Sequence, residues 1–110
     1  MKVLIVDDNQ DITYSLKKAL EALNPDYEIT EAWSGKECLA KADKADIILL
    51  DIMMPEMDGF QVSEQITAKP ILFITGKANM MREARVRNIE FLQKPVDIKV
   101  LDKKIREMLF

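Results

Sequence analysis

The 110-residue sequence contains no histidine and only one cysteine, Cys38. Without histidine, the chain cannot build a metal site or an acid–base mechanism that needs an imidazole. A single cysteine excludes a disulfide within the chain and is typical of a reducing compartment. No apolar run approaches the ~20 residues of a membrane span, and the first residues do not resemble a signal peptide. We therefore expect a cytoplasmic protein.

The sequence also lacks a strong excess of charge of one sign. Its 16 basic and 19 acidic residues give a net charge of −3. This balance argues against a general electrostatic attraction to nucleic acid or to an anionic membrane. The length predicts one domain over residues 1–110, large enough for a modest single core.

Four short apolar runs rich in β-branched residues predict strands, and each run is followed by polar side chains. The runs cover residues 3–6, 47–50, 71–74 and 89–92, and the polar residues after them are Asp7 and Asp8, Asp51, Thr75 and Lys94. Apolar runs of this kind are typical of strands buried on both faces of a parallel sheet. A further run, residues 27–32, alternates with glutamates and predicts a strand at the edge of the sheet.

Capping residues and helical periodicity between these runs predict five helices. Asn9 caps the first, Ser34 begins a capping box for the second, and Asp97 caps the last. The third helix is short because Pro70 ends it, and the fourth, within residues 77–88, has only weak periodicity. Alternating strands and helices predict a doubly wound parallel α/β sheet with strand order 2-1-3-4-5.

This strand order brings the polar residues together at the carboxyl end of the sheet, with Asp7 and Asp8 beside Asp51. Two carboxylates ~5 Å apart repel by roughly 3 kcal/mol at an effective dielectric of about 20, so three carboxylates need a cation or a proton. Because every ligand is a hard oxygen, the sequence predicts Mg²⁺ or alternatively Mn²⁺. Mg²⁺ is commonly shared between carboxylates and phosphate oxygens, so the cluster is suited to a phosphoryl group.

Asp51 is the predicted phosphoryl acceptor because it follows the central strand, between the other polar groups. A carboxylate can attack phosphorus to form an aspartyl phosphate. Lys94, on the side opposite the metal, and the Thr75 hydroxyl would neutralise and bind the phosphoryl oxygens. Two plainer interpretations remain, with Asp51 as a turn former or helix cap and Lys94 as a counter-ion for the acids. Gly59, in the loop behind Asp51, is expected to supply a backbone conformation that other residues resist.

The order of these motifs resembles the receiver domain of bacterial and archaeal two-component response regulators, the CheY-like, flavodoxin-like (βα)5 fold. The matching segments are VLIVDDN at 3–9, ILLD followed by IMMPEMDG at 48–59, ILFITGKA at 71–78 and FLQKPVD at 91–97. The resemblance implies that Asp51 takes a phosphoryl group from the phosphohistidine of a sensor histidine kinase or phosphotransfer protein. It also implies that the domain catalyses only its own phosphorylation and dephosphorylation and is not otherwise an enzyme.

The resemblance further implies a set of metal ligands. Asp8 and Asp51 would bind Mg²⁺ directly, Asp7 would bind it through water, and the backbone carbonyl of Met53 would complete the site.

The same resemblance implies roles for residues at the other strand ends. Thr75 and Lys94 would hold the phosphoryl oxygens, and Phe91 falls at the position of the family's switch aromatic. The bond between Lys94 and Pro95 is expected to be cis.

The fourth helix departs from the family pattern, because the Gly-Ala pair usual before the last strand is replaced by Arg87-Asn88. We expect a shortened helix of ~10 residues, and Arg82, Arg85 and Arg87 form either a partner-binding patch or a solvated helix face. We expect a downstream output protein or domain of unspecified identity. The expected oligomeric state is a monomer or a phosphorylation-dependent dimer.

Other proteins of similar topology fit less well. A dehalogenase-type hydrolase needs a second aspartate two positions after the first, and a flavin or mononucleotide binder needs a phosphate loop without acids. The remaining alternative is a pseudo-receiver, a protein-binding module that acts without phosphorylation.

Overall fold

The computed structural model describes residues 1–110 and contains a five-stranded sheet between two layers of helices. The strands are β1 (Lys2–Val6), β2 (Glu28–Ala32), β3 (Ile47–Asp51), β4 (Ile71–Thr75) and β5 (Phe91–Gln93). The helices are α1 (Gln10–Leu23), α2 (Gly35–Lys41), α3 (Gly59–Glu64), α4 (Ala78–Val86) and α5 (Ile98–Leu109), with a 3₁₀ turn (Ala42–Lys44) after α2. All neighbouring strands are parallel, in the order β2-β1-β3-β4-β5. The predicted doubly wound architecture, with β2 at an edge, is confirmed.

β3 lies in the middle of the sheet, and all of its residues are buried. Its side chains alternate between the two faces, as in any strand. Ile48 and Leu50 join the core beneath α2, α3 and α4, whereas Ile47 and Leu49 join the core beneath α1 and α5. Burying each such side chain contributes roughly 1.5–3 kcal/mol. Packing on both faces therefore holds the end of β3, where Asp51 lies, in one position.

Side-chain caps begin four of the helices. The predicted caps Asn9, Ser34 and Asp97 accept hydrogen bonds from backbone N–H groups in the first turns of α1, α2 and α5. The sequence analysis did not identify the cap of α3, in which Asp58 and Gln61 form a reciprocal capping box. This box satisfies backbone groups that the start of a helix leaves unpaired.

The fourth helix is short, as predicted, with nine residues. Its buried residue is Ala84, with Met80 partly buried against the core, whereas Ala78 is exposed. The third helix is shorter still, with six residues. None of the helices, including the 14 residues of α1, combines the length and apolar character that spanning a membrane requires.

The start of the last strand was predicted two residues too early, at Ile89 instead of Phe91. Asn88 has a φ of 57°, a left-handed conformation that asparagine adopts more readily than most residues. The N–H of Ile89 donates to the carbonyl of Ala84 at 2.9 Å, which closes the end of α4. Ile89 therefore packs against the core without belonging to the sheet.

Candidate functional site

The predicted metal and phosphoryl ligands line one cavity of about 410 Å³ at the carboxyl end of the sheet. They are Asp7 and Asp8 after β1, Asp51 and Met53 at and after β3, Thr75 at the end of β4 and Lys94 after β5. Parallel strands explain this convergence, since their carboxyl ends share one end of the sheet. Phe91, the predicted switch residue, does not line the cavity.

The three aspartates are close enough to share a cation. One carboxylate oxygen from each of Asp7, Asp8 and Asp51 lies within 4.8 Å of the other two. Asp7 and Asp51 are only 4% and 5% exposed, whereas Asp8 is exposed to solvent. Oxygen donors at this spacing match the ligands that Mg²⁺ prefers.

Lys94 contacts two of these acids. Its Nζ lies 2.8 Å from Oδ2 of Asp7 and 3.3 Å from Oδ1 of Asp51. We expected this ammonium to lie on the side of Asp51 opposite Asp7 and Asp8. Because the ammonium contacts Asp7, that expectation was wrong for Asp7. The counter-ion interpretation of Lys94 is therefore supported by the geometry, and it is compatible with a contact to a phosphoryl group.

Burial and neighbouring charges shift the pKa values of Asp51 and Lys94. Burial, reinforced by the charge of Asp7, raises the pKa of Asp51 to about 6, and the charge of Lys94 opposes the rise. Burial alone would lower the pKa of Lys94, but its hydrogen bond to Asp7 and the charge of Asp51 raise it above the ordinary value. A positive charge placed near Asp51 would therefore favour its ionised, nucleophilic form.

A backbone group that the sequence analysis missed fixes the second oxygen of Asp7. The N–H of Asn9 donates to Oδ1 of Asp7 at 2.9 Å, while Oδ2 accepts from Lys94. Asn9 was identified only as the cap of α1. The turn that starts this helix thus also orients Asp7, and an Asp-x-Asn spacing before a helix is the signal that could have indicated it.

Thr75 is fully buried at the end of β4. Its hydroxyl oxygen accepts a hydrogen bond from the N–H of Lys77 at 3.2 Å. Lys77 is the residue that precedes α4, and its carbonyl accepts from the N–H groups of Met80 and Met81. Thr75 therefore connects the cavity to the start of α4.

The loop behind Asp51 is held against β3 by Gly59, but not for the reason we expected. Gly59 does not have a positive φ, and the left-handed residue in this loop is Glu56, with a φ of 69°. A Cβ on Gly59 would lie 2.6 Å from the carbonyl oxygen of Asp51 and 2.8 Å from Cα of Ile52. The N–H of Gly59 also donates to the carbonyl of Ile52 at 2.8 Å. Gly59 thus permits the close approach of α3 to the strand that carries Asp51.

The peptide bond between Lys94 and Pro95 is cis, which confirms the expectation drawn from the resemblance. Phe91, three residues earlier, is half-buried, and its ring lies under the guanidinium of Arg85.

Comparison with known proteins identifies the family. The sequence model of the response regulator receiver domain matches residues 3–106. Protein PilH of Pseudomonas aeruginosa is 33% identical, and the match covers 98% of this chain and 97% of PilH. The transcriptional regulatory protein ResD of Bacillus subtilis is 36% identical, and the match covers 98% of this chain but 48% of ResD. The chain spans about half the length of several curated relatives that it matches.

Solved structures agree with the sequence comparison. A CheY-like receiver domain from Methanospirillum hungatei superposes with a TM-score of 0.83 at 30% identity, over 98% of this chain and 92% of that one. The chemotaxis protein CheY4 of Vibrio cholerae superposes with a TM-score of 0.80 at 33% identity, over 98% of both chains. This chain belongs to the response regulator receiver domain family.

Proposed function

We propose that residues 1–110 form one phosphoacceptor signalling domain, which takes a phosphoryl group onto Asp51 in an Mg²⁺-dependent reaction. The observation that carries the proposal is the arrangement around Asp51. This buried carboxylate ends the central strand, within 4.8 Å of the Asp7 and Asp8 carboxylates and 3.3 Å from the Lys94 ammonium. A carboxylate that served only as a turn former or helix cap would not need these neighbours.

The donor set fits a hard divalent cation. Asp7, Asp8 and Asp51 offer only oxygen ligands, and the exposure of Asp8 leaves room for the waters that Mg²⁺ retains. We propose that Asp8 and Asp51 bind the ion directly, that Asp7 binds through water, and that the backbone carbonyl of Met53 completes the set. When bound, Mg²⁺ supplies positive charge that neutralises the phosphoryl oxygens.

The proposed reaction transfers the phosphoryl group from a nitrogen of a partner's histidine. A carboxylate oxygen of Asp51 forms a bond to phosphorus as the P–N bond breaks, and the electron pair stays on the imidazole nitrogen, which takes a proton from solvent. Lys94 then moves from neutralising Asp51 to binding a phosphoryl oxygen, and the Thr75 hydroxyl donates to another. These side chains position and neutralise the transferring group, which is most of what such a reaction demands.

The proposed partners follow from this chemistry. The donor is a sensor histidine kinase or a phosphotransfer protein. In either case, the part of the donor that meets this domain is cytoplasmic. The output of the domain is a change in the surface around Thr75 and Phe91, and the downstream partner recognises that surface. The protein is a monomer or becomes a dimer when phosphorylated, and it has no direct contact with nucleic acid or membrane.

Intact-mass spectrometry after incubation with acetyl phosphate tests the proposal. We expect the purified protein to gain the mass of one phosphoryl group in Mg²⁺ and none in a chelator. The Asp51→Asn variant should gain none, whereas a control substitution at a remote exposed acid, Asp26→Asn, should behave as the wild type.

Two outcomes would overturn the assignment. A folded wild-type protein that never gains the adduct would favour the pseudo-receiver alternative. An adduct that persists in Asp51→Asn would place the phosphoryl group on another residue.

A further inference from the structure

A second cavity, of about 510 Å³, adjoins the proposed metal cavity. The two cavities share a wall, which is formed by Asp7, Ile12, Asp51 and Lys94. The second cavity is bounded by α1 on one side and, on the other, by Pro95 and Val96, which lead into α5. We call it the apolar cavity, because its lining includes the aliphatic side chains of Ile5, Ile12, Leu16, Leu49, Ile74 and Val96.

The apolar cavity has a buried floor. Ile5, Leu49 and Ile74 belong to the adjacent strands β1, β3 and β4, and they join the core beneath α1 and α5. All three are almost completely buried, so the sheet fixes their positions. The volume of the cavity falls within the range of about 300–1,000 Å³ that is typical of preformed sites for small molecules.

The cavity is open because α1 and α5 close over the core only further along α1. Leu20 on α1 and Leu101 on α5 are fully buried in that core. Leu16, one turn closer to the start of α1, is only half-buried, and so are Ile12 and Val96. Aliphatic surface of these side chains therefore remains for a ligand to cover, and removing it from water is favourable.

The charges of the lining determine which polar group the ligand carries. Asp7, Asp11 and Asp51 contribute three carboxylates, and Lys94 contributes the only ammonium. Lys94 already pairs with Asp7 and Asp51, whereas Asp11 is exposed and has no ion-pair partner. The lining therefore attracts a cationic group to Asp11 and repels an anion.

We propose that the apolar cavity binds a small amphipathic amine, with an apolar ring against Leu16 and Leu49 and a protonated amino group at Asp11. The ring covers the half-buried aliphatic surface, while the amino group stays at the exposed mouth of the cavity and keeps part of its hydration. This ligand is distinct from the phosphoryl group and from the metal ion, so the inference goes beyond the proposed function.

A matched series of indoles tests the inference in the full chain. Tryptamine carries an ammonium on its indole ring, 3-ethylindole has the same ring without a charge, and indole-3-propionate carries an anion. NMR titration in a chelator should give a dissociation constant of about 0.1–1 mM for tryptamine. The constant should be about two- to five-fold higher for 3-ethylindole, which lacks the exposed ion pair, and higher again for indole-3-propionate.

Two further observations in the same titration locate the ligand. The methyl signals of Leu49 should shift, whereas those of Leu50, the next residue of β3, should not, because Leu50 belongs to the core on the other face of the sheet. Tryptamine should still bind in excess Mg²⁺, since the metal ion is proposed to occupy the neighbouring cavity.

Two pairs of variants separate the role of the charge from that of the ring. Asp11→Asn should weaken tryptamine binding about two- to five-fold and leave 3-ethylindole unchanged. Its control is Glu21→Gln, which removes a carboxylate from the same helix outside the cavity. Val96→Phe fills the cavity and should weaken both ligands by about ten-fold or more. Its control is Val100→Phe, at an exposed position of α5, and neither control should change either affinity.

Several results would overturn the inference and leave the proposed function intact. They are no saturable binding of tryptamine, equal affinity for tryptamine and indole-3-propionate, unchanged tryptamine affinity in Asp11→Asn, and shifts at Leu50 instead of Leu49. Loss of tryptamine binding in excess Mg²⁺ would also overturn it, because the amine would then lie among the metal ligands. A protein that binds tryptamine as described but gains no phosphoryl adduct on Asp51 would instead overturn only the proposed function.

Discussion

At the residue scale, the site depends on two buried carboxylates that share one ammonium. Lys94 lies within ion-pair distance of both Asp7 and Asp51. The pKa of Asp51 is nevertheless raised to about 6, first by burial and then by the charge of Asp7. At neutral pH the unliganded protein therefore carries an ionised Asp51 whose charged form its surroundings disfavour relative to water. A cation or a phosphoryl group removes this cost.

We predict that Asp51→Asn stabilises the protein in a chelator near pH 7.5. The pKa of Asp51 rises from 3.8 to about 6 on folding, so its contribution to stability is complete below about pH 4 and is lost as the pH rises through about 6. The gain from the substitution is at most about 3 kcal/mol, and less because water screens the open cavity. Urea unfolding measures it, and the gain should shrink as the pH is lowered from about 7 to about 4.

Removal of the positive charge from the same site serves as the control. Lys94→Met leaves both Asp7 and Asp51 without a counter-ion and should destabilise the protein by about 2–3 kcal/mol. This value is below the ~3–5 kcal/mol typical of a broken buried pair, because 25% of the Lys94 side chain is exposed. A less stable Asp51→Asn protein near pH 7.5 would contradict the argument that the ionised form of Asp51 is disfavoured.

The sequence alone could predict which residues meet at the site, but not how their charges pair. Polar residues after apolar strands must converge in a parallel sheet, so Asp7, Asp51, Thr75 and Lys94 were identified from their positions. Repulsion among three acids was then the expected state. The contact between Lys94 and Asp7 depends on the direction of a long side chain after β5, and neither periodicity nor strand order determines that direction.

At the element scale, the close contact between α3 and the end of β3 positions Asp51. We predict that Gly59→Ala destabilises the protein by about 1–3 kcal/mol, because the added Cβ would lie 2.6 Å from the Asp51 carbonyl oxygen. Neither backbone segment can move without disturbing Asp51, the proposed acceptor. Thermal unfolding measures the change in stability, and the yield of the acetyl phosphate adduct measures the change at Asp51.

Gly76→Ala is the matched control, since it also adds one methyl group beside the cavity. Its Cβ would meet only Cβ of Lys94, at the ordinary contact distance of 3.5 Å. We expect its stability to stay within about 0.5 kcal/mol of the wild type. Equal losses in the two variants would show that the tight approach of α3 is not the cause.

Element boundaries were predictable where hydrophobic runs and caps agree, and failed where backbone conformation decides. The apolar run correctly predicted the position of β3, and the cap residue Asn9 correctly predicted the start of α1. The start of β5 was missed because it depends on the left-handed φ of Asn88, which draws Ile89 into the cap of α4. An apolar residue next to a strand-like segment carries no sign of that hydrogen bond.

At the scale of the whole molecule, one buried hydrogen bond joins the loop before the edge strand to the last helix. The hydroxyl of Tyr27 donates to Oδ1 of Asp102 at 2.5 Å, between residues 75 positions apart, and Oδ2 of Asp102 pairs with Arg106 at 2.9 Å. No pattern in the sequence indicates this pair, because Asp102 lies in a helix rich in charged residues. Only the packing of α5 beside α1, over the core that includes Tyr27, turns this carboxylate inward.

The same pair leads to a prediction about stability in alkaline solution. Burial, together with the bond to Asp102, raises the pKa of Tyr27 to about 12 from 10.0. A raised pKa means that the neutral phenol is the form favoured by folding, so its contribution is complete below about pH 10 and is lost as the pH rises through about 12. Tyr27→Phe should therefore cost about 1–2 kcal/mol near pH 8.

Urea unfolding at a series of pH values measures this difference, and the control is Tyr14→Phe. Tyr14 is 57% exposed, so removing its hydroxyl should leave stability within about 0.5 kcal/mol of the wild type at every pH. Lysine side chains also titrate in this pH range. The wild type and the two variants contain the same lysines, so the contributions of these lysines cancel in the comparison. The cost of Tyr27→Phe should shrink between about pH 9 and pH 11.5. A cost that stays constant over this range would mean that the Tyr27 hydroxyl titrates equally in the folded and unfolded chains, which would contradict the raised pKa of Tyr27.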